Sequence, residues 1–187
     1  MNTLSHYILT GLVLLAITAC QKELTYSEAL NKNEDNLTDP KAVEEAYFLV
    51  KTKSANMLGT LLTSMAVDSG YAAVIKDLAR QNLADHKKLG DDLPRIAHDG
   101  DIALPTQMSS SHQSIYVKVA ASNHKDFDRN FIEAIKKLNE AMNEEFNSMA
   151  TDAQDEEIRA FAARRLGIIR SHTNRIAQVE DELLVTN

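Results

Sequence analysis

The chain has 187 residues, enough for one domain with a packed core. Its formal net charge is -7, with 25% charged residues and no visible cluster of Lys and Arg, which excludes a nucleic-acid phosphate backbone as partner. A single cysteine excludes an internal disulfide.

The first predicted element is a leader over residues 1–19. From Leu4 to Ala19 there is no Asp, Glu, Lys or Arg, and the run falls short of the roughly 20 apolar residues a membrane span requires, which suits a signal-peptide core. It closes on Ile17-Thr18-Ala19-Cys20, which resembles the lipobox of bacterial lipoproteins. The resemblance implies that Cys20 carries a diacylglycerol and an N-acyl chain and becomes the mature N-terminus; two or more acyl tails anchor a protein stably where one does not. Gln21 in place of an Asp implies the outer membrane, facing the periplasm, over the inner one. Residues 20–39 then turn polar, with Asn31 through Asn36 in succession, and are expected to be a lipidated tether with at most a turn of helix near 27–30.

Residues 40–187 are expected to form an all-α domain, a four-helix bundle. Asp39-Pro40 is a helix start, an N-cap acceptor followed by proline at the first helical position. The first long helix is predicted over 40–67 with a stripe of Val43, Tyr47, Val50, Ser54, Met57, Leu61 and Ser64, flanked by Leu58, Leu62 and Met65, and ended by Gly70 as a left-handed cap. The second covers 71–93, its seam formed by Ile75, Ala79, Asn82, His86, Leu89 and Leu93, with a kink or stop at Pro94, one more turn to Ala97, and Gly100 closing the element. A long connection follows, containing Leu104-Pro105 and a short helix over 109–121 capped by Ser109 or Ser110. Such a span suits a crossover along the side of a bundle and predicts a ferritin-like topology, with the middle two helices parallel. The third helix reaches residue 150 with the seam Ile132, Ile135, Asn139, Met142, Phe146 and Met149. After a turn at Thr151-Asp152 the last helix, over 154–184, carries Ile158, Ala162, Arg165, Ile169, His172, Ile176, Val179 and Leu183.

Several of these pieces together resemble the bacterial envelope family known as domain of unknown function 4142: Asp85-His86, Leu104-Pro105, Phe127-Asp128-Arg129 with Phe131, Phe161-Ala162 with Leu166, and Arg170-Ser171-His172. The resemblance spans roughly residues 42–179 and implies a ferritin-like bundle in a periplasmic or lipid-anchored protein. The chain departs from the family where Asn139 replaces a common histidine, Gly167 a proline, and Gly59 and Leu61 stand near an acidic position.

The seams place His86, Asn139 and His172 inward as a candidate polar layer of the core, which can fix helix register. A ferritin-like di-iron centre needs a Glu from each of two helices and a Glu-x-x-His pair from each of the others. Here Leu83 and Ile169 stand three residues before His86 and His172, so no metal is assigned and no cofactor is expected. Counting from the predicted turn puts His172 about 13 Å along the bundle axis from Asn139, at 1.5 Å per residue, too far for a shared ion. The layer is instead expected to hold neutral imidazoles donating to a carbonyl or to Asn139. His98, His112 and His124 with nearby aspartates lack metal-ligand spacing, and Met57, Met65, Met142 and Met149 fit core filling better than copper ligation. No nucleophile motif or phosphate loop is present. The reading is a non-enzymatic, lipid-anchored envelope protein that binds an unidentified partner or serves envelope maintenance. The alternative is a ferritin-like metal or redox protein using His86 and His172.

Overall fold

The computed structural model describes residues 23–186, so the leader and Cys20 lie outside the described residues. The elements in order are α1 (Tyr26–Asn36), α2 (Pro40–Ser69), α3 (Ala73–Asp99), α4 (Ser110–Ala120), α5 (His124–Asp152) and α6 (Glu156–Thr186), with no strand among the described residues. None of these helices is long and apolar enough to cross a membrane.

The short turns after α2 and α5 fold the chain into two antiparallel hairpins, α2–α3 and α5–α6, packed side by side. Each turn is clamped by a carboxylate from the other hairpin. Glu45 of α2, buried, accepts the backbone N–H groups of Gln154 (2.5 Å) and Asp155 (3.0 Å) ahead of α6. Asp128 of α5 accepts those of Tyr71 (2.9 Å) and Ala72 (2.8 Å) ahead of α3. Negative charge at orphan N–H groups of a helix start is favourable, and each clamp also sets the axial position of one hairpin against the other. With the start of α3 beside that of α5, and the end of α3 tied to the start of α6 by Arg95 and Glu157, α3 and α5 run parallel. That is the ferritin-like connectivity, and the segment 100–123 with α4 is the crossover it requires. Ser109 is the N-cap of α4, accepting from His112 N–H.

The core follows the seams of α3, α5 and α6. At one end Phe48 meets Phe146 at 4.9 Å between ring centroids, and Phe146 meets Phe161 at 5.7 Å; at the other Phe127 and Phe131 stack. Helix α2 differs from expectation. Val50, Ser54, Leu58 and Leu62 of the predicted face are buried, but so are Phe48, Leu49, Thr52, Ala55, Asn56, Gly59, Thr63 and Ala66, whereas Leu61 is 40% exposed and Ser64 is exposed. The buried face is wider than the predicted stripe because α2 packs against α1, α3, α4 and α5, so small and polar residues are covered on several sides and the apolar pattern alone does not delimit the inner face.

Three further expectations are corrected. Residues 26–36 are not a tether but a helix, started by a capping box in which Thr25 accepts from Glu28 N–H and the Glu28 carboxylate accepts from Thr25 N–H. Asn33, fully buried, holds α1 to the crossover by donating to Ala103 O (2.9 Å) and accepting from Ala103 N–H (2.7 Å). Helix α3 passes Pro94 and ends at Asp99, two residues beyond the expected last turn to Ala97, with Gly100 closing it as expected; Pro94 faces solvent, where a lost backbone donor is cheapest. Gly70 is not left-handed, with φ -56°, and is needed for closeness instead, since a Cβ there would lie 2.7 Å from Ala66 O.

Candidate functional site

The polar layer forms where the α3, α5 and α6 seams cross the middle of the bundle. His86 is buried, and its Nδ1 lies 3.0 Å from Asn56 Oδ1 on α2. An amide oxygen only accepts, so Nδ1 carries the hydrogen and the lone pair sits on Nε2. That edge of the ring rests against Gly59: a Cβ there would come within 2.2 Å of His86 Cε1 and 2.3 Å of Nε2. His172 Nε2 lies 2.9 Å from Asp85 Oδ2 and donates to it, and the two imidazole centroids are 6.4 Å apart. Asn139 donates to Ile169 O (3.0 Å) and Thr173 Oγ1 (2.6 Å). Arg165, buried beside them, pairs with Asp92.

His172 therefore stands at the level of His86 and Asn139, not about 13 Å beyond as the turn count predicted. The turn runs on to Asp155, so Asn139 lies as far back from the end of α5 at Asp152 as Ile169 lies beyond the start of α6 at Glu156. The partner of His86 is likewise Asn56, not Asn139. No sequence signal pointed to Asn56 or Gly59, because both sit on the α2 face that the apolar pattern passes over. Glu45 and Asn33 were equally silent, although Thr25-x-x-Glu28 was a legible start for α1.

Electrostatics keep the buried imidazole of the layer uncharged. Burial, with the charges of His172 and Arg165 adding to it against Asp85, pushes His86 down to about 4, so it is neutral at pH 7. The space enclosed by His86, Asn139, Met142, Arg165 and His172 is about 20 Å³, room for one water molecule. For a shared ion the arrangement is poor: the nitrogen edge of His86 is turned to α2, Asp85 is committed to His172, and the Arg165 guanidinium occupies the wall a second cation would face. Among the described residues no three His, Cys, Asp or Glu side chains gather as a metal group, the crossover histidines included.

The crossover builds a second feature. Ser54 of α2, fully buried, accepts from Ser109 N–H (2.9 Å), and its oxygen lies 2.7 Å from His112 Nδ1. Burial lowers the His112 pKa against the pull of Ser54; the buried Ser54 oxygen already accepts from Ser109 N–H, so its own hydroxyl hydrogen is satisfied by donating to Nδ1, which leaves the ring hydrogen on Nε2. Pinned here and at Thr106, which exchanges hydrogen bonds with Leu24, the crossover and the start of α1 stand off from α2 and α5. They leave a cleft of about 600 Å³. Ala55, Leu138, Met142 and Phe146 line it on the core side, and Tyr26, Lys51, Glu145 and His112 supply polar groups, Lys51 lying 2.8 Å from Glu145.

The sequence model of the family described as Domain of unknown function (DUF4142) matches residues 30–179. The chain belongs to this family. In this DUF4142 domain the matched span begins inside α1 and ends in α6, so it takes in both hairpins, the crossover and the polar layer. No curated protein and no solved structure matches the chain.

Proposed function

We propose that the protein is a lipid-anchored component of the bacterial envelope, held to the outer membrane on its periplasmic side, that acts by binding and not by catalysis. The cleft between α1, α2, α4 and α5 carries the reading. Its volume lies within the roughly 300–1,000 Å³ of small-molecule sites, and it sets an apolar core-side wall against a lining that is otherwise mostly polar. The polar layer offers little room by comparison, because His86 is held by Asn56, His172 by Asp85, and Asn139 by Ile169 O and Thr173. The lipobox-like Ile17-Thr18-Ala19-Cys20 supports the anchor.

The test uses the mature chain with Cys20→Ser and the fluorescent dye 1-anilinonaphthalene-8-sulfonate. One saturable dye site per chain is expected, weakened at least tenfold by Ala141→Trp, which fills the cleft from an exposed position of α5, or by Gln113→Trp from α4. Absence of saturable binding, or binding indifferent to both tryptophans in folded variants, removes the reading.

A further inference from the structure

We infer that the cleft takes the acyl chain of a single-tailed amphiphile delivered at the membrane surface, its tail along Ala55, Leu138 and Met142 and its head among Tyr26, Lys51 and His112. The inference rests on the proposed anchoring and adds the chemistry of the ligand. Its carrying observation is where the cleft sits along the chain. Thr25, Tyr26 and Ser27, which open α1, line it, and Cys20 lies six residues before Tyr26. Six residues reach at most about 20 Å when fully extended, so an anchor at Cys20 holds this edge of the cleft within that distance of the lipid. A site for a freely diffusing polar metabolite has no need of such a place.

The lining agrees with this occupant. The core-side wall is hydrocarbon, thioether and phenyl, with nothing ionised, which suits a tail, while most of the remaining lining, Ser109 to Ser111 and Gln113 included, is polar, so the cleft has a side for each half of an amphiphile. The polar groups gather instead on α1, α4 and the outer part of α2 and α5. There the Lys51 ammonium, with three hydrogens and one engaged by Glu145, can also donate to a head-group oxygen, as can His112 Nε2–H and the Tyr26 hydroxyl. Burial first, with Glu145 adding and Lys51 opposing, raises the Tyr26 phenol, so it stays a neutral donor. Carboxylate and phosphate heads present the same acceptor oxygens, so a free fatty acid and a lysophospholipid are two sources of one ligand chemistry.

The experiment is displacement of the bound dye from the Cys20→Ser chain by dodecanoate or by 1-dodecanoyl-lysophosphatidylcholine, each below its critical micelle concentration. Either should lower the bound dye by at least half at saturation, and direct calorimetric binding of the same amphiphile should weaken at least tenfold in Ala141→Trp. Displacement by the lysolipid alone assigns the ligand to the membrane, and by dodecanoate alone to free acid. A dye site that is present and tryptophan-sensitive, yet displaced by neither, overturns the acyl inference and leaves the binding function standing. Loss of the dye site itself overturns both.

Discussion

Gly59 and His86 fit as a backbone notch and a ring. A methyl at residue 59 would lie 2.2 Å from His86 Cε1, and the ring cannot withdraw without giving up Asn56. Gly59→Ala should therefore cost about 1–3 kcal/mol of stability by overpacking, despite the better helix propensity of Ala; urea denaturation reads it, and unchanged stability would place the ring elsewhere. The imidazole itself predicts a pH dependence. Its pKa is about 4 in the fold against 6.5 for the free group, so between these values the unfolded chain binds the proton and the folded chain does not. The stabilisation is present above pH 6.5 and is lost as pH falls toward 4, by roughly 3 kcal/mol as an upper figure from the size of the shift. Denaturation at pH 4.5–7.5 should show that slope, and His86→Gln should flatten it. His86 was legible as an inward residue because the α3 seam is regular. Its partner was not, because Asn56 is polar and lies on a face that no apolar period marks.

At the scale of elements, the two hairpins and the crossover are held by reciprocal side chain to backbone bonds. Glu45 and Asp128 each close the other hairpin's turn, and Asn33 and Ser54 bind the crossover from opposite sides. Asn33→Ala removes both bonds to Ala103 and leaves that backbone without them, a loss of about 1–3 kcal/mol if the site stays buried. The effect should be local: hydrogen exchange should accelerate in α1 and across 100–109, while the α3 and α5 seams keep their protection. Uniform acceleration would mean that α1 is integral to bundle folding. The polar run of 31–36 misled the reading of this segment, since its exposed Asn, Lys and Glu residues hid Ala29 and Asn33, the two positions that α1 buries. Thr25-x-x-Glu28, the capping-box spacing that the composition-based reading passed over, is the signal that would have found α1, because it reports a backbone hydrogen-bond arrangement and composition does not.

For the whole molecule, the proposed anchor makes one prediction. Cys20→Ser should move the protein from the membrane pellet to the soluble envelope fraction, and continued sedimentation with membranes would remove the lipid anchor. The sequence alone determined that this is a bundle of long helices with a helical crossover, because periodicity of apolar residues, N-caps such as Asp39-Pro40 and Ser109, and short turns are local properties written within a few residues of one another. Tertiary structure alone decided which face of α2 is inside, how far along the bundle His172 stands, which group each imidazole meets, and that the crossover stands off to open a cleft. Each of those depends on the axial placement of one hairpin against the other and on what covers a helix from outside. Both are set by contacts between residues far apart in the chain, with Glu45 reaching Gln154 and Ser54 reaching Ser109, and no local pattern encodes them.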